Sequence, residues 1–242
     1  MSARSHSVSR RTCHRPTTRA LLPWLVGLWA AAALPAHAES VESVLARVQG
    51  AYGSPPRFAA LRATGRTHSV TRGDGPMQRQ WAAPDRFQIR LDYPGGTELR
   101  SLAGDRAWQG ERPMGEAFVM AMRLQAARAL LPWNLLAPDA PVSYFGSRPA
   151  SDGTRLDILI LNLAPPLRLL VDVEGESGRI VRASGLGIGN LEFATEYGDF
   201  RQIDGHLVAT REAHFAMGHA IGYSTIESVN FFARAPNNNG AR

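Results

Sequence analysis

The chain of 242 residues is 44% apolar and 20% charged. This excludes a disordered, collagen-like or low-complexity polymer and suits one or two globular domains. Its formal charge of +6 does not mark a nucleic-acid-binding face. All 27 basic residues are Arg and five of them precede residue 20; the remaining 22 stand against 21 acidic residues, all beyond residue 38.

Arg4, Arg10, Arg11, Arg15 and Arg19 lead into an apolar stretch, Leu21 to Leu34, followed by Ala36-His37-Ala38. This order of a basic region, a short apolar core and small residues at a cleavage site predicts a signal peptide over residues 1–38, with the mature chain starting at Glu39. The apolar stretch is too short to span a bilayer comfortably. Ser9-Arg10-Arg11 admits a twin-arginine route, but Cys13 and His14 stand where that signal has apolar residues, which favours the ordinary secretory route. Cys13 is the single cysteine, so the mature chain has no thiol for a disulfide, a thiolate metal site or a nucleophile. The expected location is the periplasm.

Residues 39–242 form one expected domain, and residues 235–242 read as a polar tail. Ser40 can cap a helix carrying Val41, Val44, Leu45, Val48 and Tyr52 on one stripe, stopped at Gly53-Ser54-Pro55-Pro56. Phe87, Ile89, Leu91 and Tyr93 alternate with Arg86, Gln88, Arg90 and Asp92, as in a strand with one buried face. Pro94-Gly95-Gly96 turns the chain, and Gly104-Asp105 reads as a hairpin before Ala107-Trp108. Further strands are expected around Leu156–Leu161, Leu167–Val173, Ile180-Val181, Leu191–Tyr197, Leu207–Met217 and Ile221–Phe232, with a hairpin at Asp204-Gly205. Turn signals about every ten residues, without alternating helices, predict a large antiparallel sheet.

Gly115 to Leu136 breaks this pattern and reads as a helix with almost no polar face. Phe118, Met122, Ala126, Ala129 and Trp133 form one stripe; Met120, Leu124 and Leu131 form another. Glu116 and Arg123 share a narrow polar strip, while Gln125 and Arg128 fall elsewhere. Such a helix must be sandwiched, or must close over something apolar.

No catalytic constellation emerges. The mature histidines His68, His206, His214 and His219 lack the spacing of a metal site, and His214 and His219 differ by an odd number, so they face opposite ways on one regular strand. Ser184-Gly185-Leu186-Gly187-Ile188-Gly189 lacks the Lys of a phosphate loop and reads as a strand bulge or turn. Asp199, Asp204 and Glu212 read as solvated residues near turns. Trp81, Trp108, Trp133, Phe87, Phe118 and Tyr93 admit two readings: ordinary core packing, or a cavity lined for an acyl chain. The second draws on the apolar surplus of one curved sheet with a nearly all-apolar helix.

The chain also resembles the LolA/LolB-type periplasmic lipoprotein carriers and their superfamily. The resemblance rests on Leu45-Ala46-Arg47-Val48-Gln49, Ala63-Thr64-Gly65, Ala83-Pro84-Asp85-Arg86-Phe87, the Tyr93-Pro94-Gly95-Gly96 turn, Gly104-Asp105-Arg106-Ala107-Trp108, and Tyr197-Gly198-Asp199-Phe200-Arg201 with Asp204-Gly205. It implies an α+β fold: a single curved antiparallel sheet, an incomplete β-barrel, with helices lidding the concave face. It also implies an apolar concavity that holds acyl chains. The carriers commonly have a basic residue just before the Pro that opens the central strand, where it latches the lid; here that position is Ala83.

The resulting expectation is a non-enzymatic, monomeric carrier or binder of lipid or lipoprotein acyl chains, without cofactor, metal or nucleic acid. Inner- or outer-membrane donor and acceptor proteins are candidate partners. Phe87, Ile89, Leu91, Trp108, Phe118, Met122 and Trp133 are the expected cavity lining. The alternative is an envelope regulatory or interaction module that senses lipid or a partner protein through the same fold.

Overall fold

A computed structural model describes residues 39–233. The expected signal peptide at 1–38 and the polar tail at 235–242 lie outside the described residues. Helix α1 (Val41–Tyr52) starts at Ser40, whose hydroxyl accepts the Ser43 N–H at 3.2 Å, satisfying one of the free amides of the first turn. Val44, Val48 and Tyr52, spaced by four residues, are its buried stripe.

Six strands follow: β1 (Ala60–Ser69), β2 (Gly73–Ala82), β3 (Arg86–Tyr93), β4 (Gly96–Ala103), β5 (Arg106–Gln109) and the short β6 (Arg112–Pro113). Helix α2 (Glu116–Ala129) separates them from β7 (Val142–Pro149), β8 (Arg155–Asn162), β9 (Arg168–Glu174), β10 (Ile180–Leu186), β11 (Glu192–Ile203), β12 (His206–Ala216) and β13 (His219–Phe232). The predicted hairpins at Gly104-Asp105 and Asp204-Gly205 are two-residue connections, between β4 and β5 and between β11 and β12. Asp204 and Gly205 both adopt positive φ, 49° and 80°, the conformation that Asp-Gly favours in tight hairpins.

The strands form one 13-stranded antiparallel sheet in the order β6-β5-β4-β3-β2-β1-β13-β12-β11-β10-β9-β8-β7. It is not closed into a barrel. Two meanders, β1–β6 and β7–β13, are joined where the first strand meets the last, in a register running from Ala60 opposite Phe232 to Ser69 opposite Gly222. The chain leaves one edge of the sheet at β6, passes through α2, and re-enters at the opposite edge with β7.

Helix α2 packs against β4, β5, β9 and β11. Its two apolar stripes serve two cores. Met120, Leu124 and Ala127 join α1 and Leu159, Leu169, Val171 and Val173 from the second meander. Val119, Met122 and Ala126 join Ala63, Phe87, Ile89, Leu91 and Leu102 from the first. The helix is apolar around most of its circumference because it is covered on both flanks. It is shorter than the apolar run suggests: it ends at Ala129, before Pro132, whose ring and missing N–H oppose continuation. Leu135 and Trp133, beyond that end, are still buried in the two cores.

An ionic cluster clamps α1 to β8. Asp157 is fully buried and accepts Arg47 Nη2 at 2.6 Å, Arg155 Nη2 at 2.7 Å and the Tyr144 hydroxyl at 3.2 Å. Glu39 joins this cluster through Ser43, Arg47 and Arg155. The Ser43 hydroxyl and the Arg47 guanidinium hold the Glu39 carboxyl down at about 2.

Candidate functional site

A cavity of about 220 Å³ lies between α2 and the middle of the concave face. One side is apolar. Cross-strand partners share a face of a sheet, so Met77 and Leu91 stand together, and Phe87 lies on that face with Trp81 and Leu102. Met77, Phe87, Ile89 and Leu91 line the cavity from β2 and β3, and Phe118 and Met122 face them from α2. Met122 is only 1% exposed and backs the wall rather than standing open.

The other side is polar, and it crosses the centre of the sheet. Tyr197 (β11) is opposite Glu212 (β12), Glu212 is opposite Ser224 (β13), and Thr195 is opposite His214. From β2, Arg79 reaches Glu212 in a two-pronged pair, Nη1 to Oε2 and Nη2 to Oε1, both at 2.7 Å. Both side chains are largely buried. Burial alone would push the Glu212 carboxyl up; the Arg79 guanidinium beside it outweighs this, and the net shift is down. Arg79 moves up for the reciprocal reason, against the opposing effect of burial. His214 Nε2 lies 2.9 Å from Ser224 Oγ, its Nδ1 lies 3.5 Å from Thr195 Oγ1, and Ser224 Oγ lies 3.5 Å from Thr67 Oγ1. Burial lowers the His214 pKa, and Arg128, Arg79 and Arg100 add to this while Glu212 opposes it, so the imidazole is neutral at pH 7.

Polar contacts tie α2 over the cavity. The Tyr197 hydroxyl donates to the carbonyl of Arg128 at 3.0 Å, satisfying one of the open carbonyls in the last turn. Asn134 Nδ2 donates to the Ala127 carbonyl at 2.8 Å. Arg123 Nη2 reaches the Gly104 carbonyl at 3.3 Å. The Tyr197 and Arg123 bonds hold the helix to the sheet, and Asn134 closes its own C-terminal turn.

Of the seven residues expected to line a cavity, Phe87, Ile89, Leu91 and Phe118 stand on the walls of this one, and Met122 backs them. Trp133 does neither. It borders a recess of about 40 Å³ with Tyr52, Leu207 and Val229, and packs edge-on against His206 and Phe231 at 5.2 and 5.5 Å between centroids. Trp108 is placed elsewhere too. Its neighbour Ala107 is the buried residue of β5 and pairs with Leu102, so Trp108 pairs with Ser101 on the opposite, outer face; the two-residue period allows only one of the two inside.

Two readings of polar residues need correction. Glu212 is not a solvated turn residue but is 5% exposed inside the sheet. Its phase along β12 was the available signal: it alternates in step with Thr210, while Arg211 between them points out. His214 and His219 do not share a strand, since β12 ends at Ala216 and β13 begins at His219. Arg128, off the polar strip of an otherwise apolar helix, likewise had to meet something polar. Among the described residues no three His, Cys, Asp or Glu side chains converge as a metal site, and no helix is long and apolar enough to cross a membrane.

No family model matches the sequence, and no curated protein matches it closely enough to count as a relative. Solved structures do match. A LolA superfamily protein from Nitrosomonas europaea is 11% identical, with a TM-score of 0.52 over 85% of this chain and 99% of its own. A domain described as an outer membrane lipoprotein-sorting protein, from Vibrio parahaemolyticus, is 8% identical, with a TM-score of 0.49 over 83% and 95%. The open sheet with its lid helix is thus the fold of the LolA superfamily structure, reached at an identity that speaks for the fold alone.

Proposed function

We propose that this protein is a periplasmic, non-enzymatic binder and carrier of acyl chains, held between α2 and the concave face of the sheet. The observation that carries the reading is the cavity itself: a space of about 220 Å³ walled by Phe87, Ile89, Leu91 and Phe118 beneath a helix that is apolar on both flanks. The shared fold with a LolA superfamily protein supports it at the level of architecture. The leader-like residues 1–38 support export to the periplasm, with residues 39–242 as the working domain.

Transfer follows from differential burial. Each methylene removed from water contributes about 0.8 kcal/mol, so a chain of moderate length is retained without any covalent step. The cavity is smaller than the roughly 300–1,000 Å³ typical of ligand pockets. With the helix in place it suits a single chain; a cargo with several chains requires α2 to move out.

A second reading, docking of a partner protein, draws on one feature. Ile221 lines the cavity and is 46% exposed, and the nearby turns expose Val70 and Met217 at 66% and 54%. An apolar rim at the mouth suits a donor or acceptor of the same cargo, so the two readings converge on one surface.

Native mass spectrometry of protein purified from the periplasm, followed by extraction of bound lipid, tests the proposal. Co-purified acyl lipid at near one per protein is the expected result. A protein that is lipid-free and displaces no fluorescent fatty acid overturns it.

A further inference from the structure

Three arginines reach the cavity: Arg79, Arg100 and Arg128. Two are committed to carboxylates. Arg79 pairs with Glu212, and Arg100 Nε lies 2.5 Å from Glu98 Oε1, which Arg72 also holds from the other side. Among the described residues Arg128 has no carboxylate partner. Its side chain makes one long contact, Nη1 to the Phe193 carbonyl at 3.5 Å. Arg128 is half-buried, and a guanidinium stays charged in any protein environment, so this one is left open to an anionic partner. Burial presses the Arg128 pKa down, Glu212 only partly opposing it. The central polar band therefore holds one positive charge more than its carboxylates cancel.

The position of that charge matters. Gln125, one turn earlier on α2, lines the same wall, since residues three apart share a helix face. The same lining holds Thr195 and the neutral His214, with the Ser224 hydroxyl beside His214 and the Thr67 hydroxyl next to it. The apolar wall of Phe87, Ile89, Leu91 and Phe118 adjoins this group in the same space. One cavity thus presents a greasy wall and, in the same lining, a forked cation together with hydroxyls and a carboxamide. That is the complement of an amphiphile with an anionic head.

We propose that Arg128 is the head-group site of the cavity and that the bound lipid is a single-chain anionic amphiphile, its carboxylate or phosphate held by the Arg128 guanidinium. This rests on the acyl-binding reading above and adds the charge of the head, the side chain that selects it and the single chain.

The test compares binding of dodecanoate, dodecyl phosphate and neutral dodecanol to the purified protein, by displacement of a fluorescent probe or by calorimetry, for the native chain and for Arg128→Gln and Arg128→Lys. The native protein is expected to bind at least one anionic ligand ten-fold or more tightly than dodecanol. Preference for dodecanoate identifies a free fatty acid head, and preference for dodecyl phosphate a phospholipid-like head. Arg128→Gln is expected to abolish the preference, and Arg128→Lys to retain part of it. Equal binding of all three ligands by the native protein overturns the head-group assignment and leaves the acyl reading standing. So does an anionic preference that survives in Arg128→Gln. Failure of every ligand, dodecanol included, overturns both. If Arg128→Gln does not fold, the native-protein comparison still decides the charge of the head, and Arg128→Lys, expected to weaken the preference, decides the side chain.

Discussion

Glu212 on β12 accepts two hydrogen bonds from Arg79 on β2, each 2.7 Å long, across 133 residues of sequence. The pair sits inside the concave face, where the first and second meanders meet. It places paired charge under helix α2, at the centre of the polar band that borders the apolar wall. A buried pair of this kind is expensive to break from one side, because the remaining ion has no solvent to return to.

Glu212→Ala is therefore expected to cost about 3–5 kcal/mol of unfolding free energy. Replacing both partners, as in Arg79→Met with Glu212→Leu, should cost markedly less than Glu212→Ala alone. Urea denaturation of Arg79→Met, Glu212→Leu and the double variant, beside Glu212→Ala, checks this. A double variant as unstable as the sum of the singles shows that the two side chains act independently.

Phe118 and Met122 separate the wall of the cavity from its backing. Met122 is 1% exposed, and Met122→Gln buries an amide with no partner, at an expected cost of about 1–3 kcal/mol. Phe118 is only partly buried against the same core. Phe118→Ala is expected to weaken dodecanoate binding several-fold with a smaller loss of stability. Thermal unfolding of the ligand-free variants, run beside probe displacement, reads both effects. If Met122→Gln leaves the melting temperature unchanged and removes binding, Met122 belongs to the open wall instead.

Gly185 on β10 lies against Leu124 of helix α2. A Cβ at that position would lie 2.5 Å from Leu124 Cδ2 and 2.9 Å from the Arg168 carbonyl oxygen. Leu124 can turn aside, but the backbone of β9 cannot. Gly185→Val is expected to destabilise the protein by about 1–3 kcal/mol through overpacking and to push α2 outward, so that a bound fluorescent fatty acid dissociates faster in stopped-flow. Unchanged stability together with unchanged release argues that the helix and sheet have slack at this point.

His214 makes stability depend on pH. Burial lowers its folded pKa below the ordinary value of 6.5, so between the two values the unfolded chain binds more protons than the folded one. Its contribution is intact above about 6.5 and is lost as pH falls toward the folded pKa. Urea unfolding at pH 7.5, 6.5 and 5.5 should show stability falling with acidity, and His214→Asn should flatten that slope. A native protein equally stable at all three values places the imidazole in contact with water.

Much of the fold was legible from local pattern. The alternation of Phe87, Ile89 and Leu91 specified a strand and its inner face, and Asp204-Gly205 and Gly104-Asp105 specified tight hairpins, because side-chain period and turn geometry are properties of a few adjacent residues. The apolar circumference of α2 required cover on two sides, and two cores supply it. What the sequence alone left open is which strand meets which. The pairing of β1 with β13 joins residues more than 150 apart, and only that junction brings Thr67, Ser224, Glu212 and Arg79 onto one surface. Trp108 shows the same limit at short range, since an aromatic residue beside a small one does not reveal which of the two faces inward until the register with Leu102 and Ser101 is known. The polar end of the cavity was hidden because each of its side chains, taken singly on its own strand or helix, reads as an ordinary solvated residue. Their burial, and the pairing that makes it tolerable, exist only in the folded sheet.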